Sequence, residues 1–225
     1  MHTKQEAFDK HLNQIDHFKR YPAMLPYIGK NYGVNGQLKI LLVAESNYLP
    51  EESTIQQNAE IWYSSEQSRL TDEEVDWINC RDLLQCSWSS DGHMIYRELE
   101  NNLKDYFNKN TNEEKAISNV AYMNGFQRPS PVIGESIKHY FTQTDCFLSA
   151  KIISNVISII DADLVVFVSK LAWDRLNYLL EIDDKVKVDF TCHPGTGGRY
   201  WFNKNYSHGR DKFRSILNNY ISQKL

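Results

Sequence analysis

The sequence has 225 residues, of which 41% are hydrophobic and 24% are charged, and its formal net charge is −4. This composition is typical of a globular protein and sufficient for one substantial core. We therefore expect a single domain over residues 1–225, in which residues 1–37 form an N-terminal extension of helix and loop. An acidic chain is a poor overall match for the phosphates of nucleic acid, so a nucleic-acid contact requires a local basic patch.

Membrane proteins and secreted proteins are disfavoured by the distribution of apolar residues. No apolar run approaches the roughly 20 residues that a membrane-spanning helix needs. The first residues, from Met1 to Glu6, lack the apolar segment of a secretory signal. We expect a cytoplasmic protein with no membrane partner.

The cysteines are scattered along the chain without a Cys-x-x-Cys pair, which argues against a zinc knuckle and against a thioredoxin-like motif. Buried, reduced thiols are the ordinary state of such residues. We therefore expect neither a metal nor another cofactor. The four cysteines are Cys80, Cys86, Cys146 and Cys192.

Helical patterns come before, between and after four apolar stretches that favour β strands. The strands are predicted at residues 38–44, 116–123, 163–168 and 186–191. Helices are predicted at residues 4–20, from 71 to about 83, and at 94–107, 135–140, 147–160, 171–180 and 209–222. Strands connected through helices pair in parallel by right-handed crossovers. The expected fold is an α/β protein, a three-layer α/β/α sandwich with a central, mostly parallel four-stranded sheet.

Polar side chains follow three of the predicted strands. Glu45, Ser46 and Asn47 come after the first, Asn124 after the second and His193 after the fourth. Because the carboxyl ends of parallel strands lie at one edge of the sheet, we expect these groups to share one pocket. A carboxylate, a carboxamide and an imidazole together supply a base, a reader of hydrogen-bond edges and a group that stabilises negative charge.

Structural explanations also exist for these residues. Glu45 at a strand end can accept hydrogen bonds from backbone N–H groups, and Asn124 before Gly125 suits a turn. His193 precedes Pro194 in a glycine-rich loop and has no evident packing role. The sequence alone leaves both interpretations open.

Two other kinds of site were considered at the same strand ends. A metal site built from His193, Cys192, Glu45 and Asp189 lacks the His-x-His, His-x-x-x-His or Cys-x-x-Cys spacing. A nucleophilic Ser46 assisted by His193 lacks the Gly-x-Ser-x-Gly turn that exposes such a serine. Both are less favoured than a binding pocket.

A basic segment interleaved with aromatic residues lies between residues 193 and 214. Such a segment suits a surface that contacts phosphates and stacks on bases. The alternative is an amphipathic last helix with a solvated basic face. The residues predicted to bind nucleic acid are Arg199, Lys204 and Arg210, and Lys212 and Arg214 follow them.

The arrangement of these motifs resembles the uracil-DNA glycosylase superfamily. The segment Ala44-Glu45-Ser46-Asn47-Tyr48 stands where that family has its first motif, of the type GQDPYH or GEAPG. His193-Pro194-Gly195 stands where the family has His-Pro-Ser, and the segment ending in Asn124 is similar to its central strand. The resemblance covers about residues 38 to 215.

The resemblance implies a pocket that holds an extrahelical base. It implies that His193 contacts the base, that Asn124 reads its pairing edge, and that Glu45, or a water held there, faces the sugar. Trp62 or Tyr63 is then the expected stacking ring. The remaining residues implied to bind the base are Tyr48, Ser46 and Asn47.

The sequence departs from the family pattern at three positions. Ser46 replaces the aspartate that activates water in one branch, Ala44 replaces the initial glycine, and Gly195 replaces the serine after His-Pro. The implied function is a DNA glycosylase acting on a flipped-out nucleobase in DNA repair. The alternative is a non-catalytic protein of the same fold that binds a nucleobase, a nucleotide or single-stranded nucleic acid.

Overall fold

The computed structural model describes residues 4–88, 93–107, 115–203, 205 and 208–221. The strands are β1 (Tyr27–Ile28), β2 (Ile40–Val43), β3 (Ala121–Met123), β4 (Leu164–Phe167) and β5 (Lys187–Phe190). The helices are α1 (Lys4–Leu12), α2 (Asp16–Arg20), α3 (Ala59–Ser64), α4 (Asp72–Ile78), α5 (Cys80–Gln85), α6 (Met94–Phe107), α7 (Gln143–Ile160), α8 (Lys170–Leu176) and α9 (Gly209–Ile221). No helix within these ranges is long and apolar enough to cross a lipid bilayer.

The strands form one sheet in the order β1-β3-β2-β4-β5. The four predicted strands pair in parallel, with Leu42 of β2 opposite Tyr122 of β3 and Val166 of β4. The prediction of four strands was wrong by one, because β1 adds an antiparallel edge strand in which Tyr27 lies opposite Tyr122. A strand of two residues lies within a segment rich in proline and glycine, and it is too short to produce an alternating pattern.

Helices cover both faces of the sheet, which confirms the three-layer α/β/α fold. Successive strand residues point to opposite faces, so Leu41 and Val43 belong to one core while Leu42 and Ala44 belong to the other. The first core includes apolar side chains from α1, α2, α3, α7 and α8. The second includes apolar side chains from α5, α6 and α9.

Capping signals placed several helices correctly. Thr71 and Glu74 form the capping box that begins α4, and the Ser169 side chain accepts a hydrogen bond from the Ala172 N–H at the start of α8. The helix predicted over residues 94–107 matches α6. Residues 80–85, where the helix from 71 was expected to end, form the separate helix α5.

Three predictions of regular structure were wrong in extent. The helix expected over residues 4–20 is divided, since Ile15 is extended and α2 begins at Asp16, although Leu12, Ile15 and Phe18 are all buried as their spacing indicated. Residues 116–119 form a 3-10 turn, so β3 comprises only the last three residues of the predicted strand. The helix expected over residues 135–140 is a 3-10 turn at Ile137–His139.

An ion pair between Arg128 and Asp145 is buried at the start of α7. The guanidinium Nε and Nη2 atoms lie 2.9 and 2.7 Å from the two carboxylate oxygens. Arg128 also donates to the Gln56 and Tyr140 carbonyl oxygens, each at 2.7 Å. Asp145 accepts from the Thr142 N–H and hydroxyl, which completes the capping box of α7. The segments that follow β2 and β3 are therefore both linked to the start of α7 through this pair.

We expect Arg128→Met to lower the free energy of unfolding by about 3–5 kcal/mol, because Asp145 then remains buried without its cation. Urea denaturation followed by circular dichroism measures the loss. Lys170→Met is the matched control, since Lys170 and Asp174 form an exposed pair whose removal costs about 1 kcal/mol or less. Equal losses in the two variants would contradict the assigned role of the buried pair.

His17 is buried among aromatic rings of the first core. Its ring centroid lies 5.4 Å from that of Tyr21 and 6.1 Å from that of Tyr63. Burial, and secondarily the Arg20 charge, lower the pKa of His17 to about 3. His17 is therefore neutral in the folded protein at neutral pH.

The unfolded chain binds a proton at His17 near pH 6.5, whereas the folded chain binds it only near pH 3. We therefore expect stability to fall as the pH decreases from 6.5 to 3, with a contribution from His17 of roughly 1.4 kcal/mol per pH unit within that window. Urea titrations at several pH values measure how the free energy of unfolding depends on pH, and this dependence should be weaker in His17→Phe than in wild type. His11→Gln, at an exposed histidine on α1, should keep the wild-type slope.

Candidate functional site

The segments after β2 and β3 continue to pair beyond the ends of the strands. The N–H groups of Gly125, Phe126 and Ser130 donate to the carbonyl oxygens of Ala44, Glu45 and Asn47 at 3.2, 2.8 and 2.8 Å. A Cβ atom on Gly125 would lie 2.9 Å from the Ala44 oxygen, so this position requires glycine. The two polar strand ends are thus held side by side at the carboxyl edge of the sheet.

A cavity of about 420 Å³ opens at this edge, on the side of the second core. We call it the Asn124 cavity. Its volume lies within the roughly 300–1,000 Å³ of small-ligand pockets. Buried side chains form its floor, and the exposed residues Asp76 and Trp77 of α4 lie at its mouth. The floor consists of Ala44, Asn47, Tyr96, Tyr122 and Asn124, and the walls of Ser46, Tyr48, Leu83, Ile95 and His193.

A chain of amide hydrogen bonds fixes the orientation of Asn124. Asn47 Nδ2 donates to the Ile78 carbonyl oxygen at 3.4 Å, so Asn47 Oδ1 is the atom that accepts from Asn124 Nδ2 at 2.6 Å. Gln127 Nε2 donates to the Asn124 backbone oxygen at 2.6 Å. One hydrogen of Asn124 Nδ2 is used in this chain, which leaves its second hydrogen and its Oδ1 lone pairs for a ligand.

His193 lines the same cavity with a defined tautomer. The Gly195 N–H donates to His193 Nδ1 at 3.1 Å, so the proton of the neutral ring lies on Nε2. Burial holds the pKa of His193 below its ordinary value, although the charge of Glu45 acts to raise it. A Cβ atom on Gly195 would lie 2.9 Å from Nδ1 and Cε1 of this ring, which explains glycine at the position. The imidazole is therefore a neutral hydrogen-bond donor.

Glu45 does not line the Asn124 cavity with the other predicted residues. Its carboxylate accepts from the Ser136 and Ser169 hydroxyls at 2.6 and 3.1 Å and lines an adjacent cavity of about 380 Å³, which we call the Glu45 cavity. The Ser136 and Ser169 hydroxyls hold the Glu45 carboxylate in this position. His193 borders both cavities and is the residue through which Glu45 acts on the site.

The prediction that Trp62 or Tyr63 stacks on a base was wrong, because neither ring lines the Asn124 cavity. Both rings belong to the first core, on the opposite face of the sheet. The Trp62 indole N–H donates to the Gln127 carbonyl oxygen at 2.8 Å, and the Trp62 ring stacks on Tyr21 with centroids 4.3 Å apart. They follow the first motif in sequence, but α3 buries them as core residues.

Other aromatic rings line the Asn124 cavity in their place. These are Tyr96 and Tyr122 at the floor, Tyr48 in the wall and Trp77 at the mouth, and only Tyr48 was named from the sequence. Burial raises the pKa of both Tyr96 and Tyr122, so their hydroxyls are neutral. Tyr122 lies two residues before Asn124, and strand alternation alone could have placed the two side chains on one face. No comparable sequence pattern predicts that Trp77 lies at this cavity.

The described residues of the predicted basic patch have local partners. Arg199 is exposed with its guanidinium over the Tyr200 ring, and Arg210 lies over Phe202 beside Asp211. Lys204 lies outside the described residues. Lys212 lies 3.3 Å from the Phe190 ring centroid and 3.8 Å from Asp189, and Arg214 lies 3.3 Å from Asp105. Most of the basic groups are thus engaged locally.

The geometry gives little support to either alternative site, the nucleophilic Ser46 or the metal site. Ser46 and His193 line one cavity, but among the described side chains no hydrogen bond joins the Ser46 hydroxyl to the imidazole. In the described ranges, no group of three or more His, Cys, Asp or Glu side chains is arranged to hold a metal ion.

No family model and no curated protein sequence matches this chain.

We expect the His193 imidazole to titrate below pH 6.5 and to carry its neutral-state proton on Nε2. Nitrogen-detected NMR of the ring, assigned by comparison with His193→Gln, measures both properties. Glu45→Gln should lower the pKa of His193 further, because the Glu45 charge raises it. Glu181→Gln, a carboxylate change outside both cavities, should leave it unchanged. A rise in Glu45→Gln would refute the assigned coupling.

Proposed function

We propose that the Asn124 cavity binds a nucleobase and that the protein hydrolyses the N-glycosidic bond of that base, as the resemblance to DNA glycosylases implies. The observation that carries this proposal is the convergence of an oriented amide, Asn124, and a neutral Nε2–H donor, His193, on one aromatic-lined cavity. Flat aromatic walls suit a planar heterocycle, and the amide suits its pairing edge.

The polarity of the Asn124 side chain suits the hydrogen-bonding edge of a base. Its Oδ1 accepts a hydrogen bond, and the second hydrogen of its Nδ2 donates one. The complementary ligand edge presents a donor beside an acceptor. The N–H and carbonyl groups of uracil, thymine, guanine and hypoxanthine form such an edge, and so do the amino group and ring nitrogen of adenine. The Tyr96 and Tyr122 side chains at the floor hydrogen-bond to each other and contribute aromatic surface to the cavity.

The chemistry that this site supports is charge stabilisation. When the glycosidic bond breaks, its electron pair moves to the base, water adds to the sugar carbon, and the proton released from water balances the charge on the departing base. The His193 Nε2–H group is suited to donate a hydrogen bond to the charge that develops on the base. Burial keeps the ring neutral, which preserves Nδ1 as the acceptor for Gly195 and Nε2–H as the donor.

We expect purified protein to release free base from substrates that contain uracil or hypoxanthine, and His193→Ala to lower kcat about 10²–10³-fold through loss of one charge-stabilising donor. Chromatography of the released base measures this. Asn124→Ala should weaken base binding, because the two hydrogen bonds of the amide to the base edge are lost. Glu181→Gln serves as the control with unchanged rate.

A non-catalytic binding protein is the second candidate, and the absence of an aspartate at Ser46 favours it. In that case bases bind and quench the fluorescence of Trp77, binding survives His193→Ala, and no base is released. If no nucleobase compound binds at high protein concentration and low salt, both candidates are refuted.

A further inference from the structure

The Asn124 cavity has a closed end and an open end, because the residues at its two ends differ in burial. Asn47, Tyr122 and Asn124 at the floor are at most 9% exposed, whereas Trp77 at the mouth is 36% exposed. The groups able to read a base edge are at the closed end. A base that reaches Asn124 therefore leaves its sugar, and whatever is attached to that sugar, at the mouth beside α4.

The mouth is acidic. Asp76 is the one carboxylate among the described residues that line the Asn124 cavity, and it is exposed. The helix that carries it, α4, contains four acidic residues and no basic one. Glu74 is held by the capping box at the start of the helix, and Asp76, in the last turn, is the acidic residue of α4 that lines the cavity. A carboxylate there accepts hydrogen bonds from sugar hydroxyls and repels phosphates.

Among the described residues, no lysine or arginine lines the Asn124 cavity. Lys170 lines the neighbouring Glu45 cavity, and its ammonium group lies 2.6 Å from Asp174. Arg210, Lys212 and Arg214 contact acidic or aromatic neighbours of their own. Affinity for nucleic acid comes largely from Lys and Arg side chains that neutralise phosphates. The charges near the cavity disfavour a phosphorylated ligand.

We infer, on the basis of the proposed function, that the substrate is an unphosphorylated nucleoside whose base contacts Asn124 and whose sugar hydroxyls donate to the Asp76 carboxylate. Because the negatively charged Asp76 carboxylate contacts the sugar and repels phosphates, 5′-nucleotides and oligonucleotides bind less tightly than the nucleoside with the same base. Asp76 is the residue that sets this preference, and Asn124 and His193 act on the base alone.

The test compares three forms of one base with the full chain. Uridine, uridine 5′-monophosphate and a single-stranded oligonucleotide with one central uracil are titrated while Trp77 fluorescence is followed, and inosine and its counterparts repeat the series. Base release is measured in parallel. We expect the nucleoside to bind roughly tenfold more tightly than the monophosphate, as expected for a phosphate beside one carboxylate.

Asp76→Asn removes the charge while keeping the size of the side chain. The affinities for the nucleoside and for the monophosphate should then become nearly equal. Glu73→Gln is the matched control, because it changes the net charge equally on the same helix without lining the cavity, and it should keep the wild-type ratio.

Two results would overturn the inference while leaving the proposed function intact: oligonucleotides that bind or release base better than nucleosides, or a ratio that Asp76→Asn leaves unchanged. Failure of every base compound to bind would instead refute the proposed function itself. The two failures are therefore distinguishable in one experiment.

Discussion

The buried ion pair between Arg128 and Asp145 is the interaction on which the site depends most. Arg128 lies four residues after Asn124, and its guanidinium binds the Gln56 carbonyl oxygen of the segment that follows β2. Asp145 binds Arg128 and also caps α7. A single carboxylate thus caps a long helix and holds the guanidinium that joins the segments after β2 and β3.

Much of the fold could be predicted from the sequence, because its elements have strong local signals. The apolar runs of β2 and β4, the capping box of α4 and the Ser169 cap of α8 are readable without tertiary context. The elements that were missed have weak local signals. Strand β1 is two residues long and exists because β3 offers it an unpaired edge.

The candidate site was predictable only in part, for a geometric reason. Asn124 and His193 follow strands directly, so the strand order brings them to one cavity with Ser46 and Tyr48. Glu45 also follows a strand, but the Ser136 and Ser169 hydroxyls hold its carboxylate in the adjacent cavity. The residues contributed by α4 lie about 30 positions from the nearest strand motif, and their position depends on how helices pack, which no local pattern encodes.

The two edges of the sheet also bear on how the protein behaves at high concentration. Strand β1 has two residues and β5 has four, and Lys187 at the start of β5 is exposed. Long, flat, apolar edge strands recruit strands from other molecules, whereas short edges that carry lysine discourage such growth. The fold therefore presents little template for aggregation through added strands.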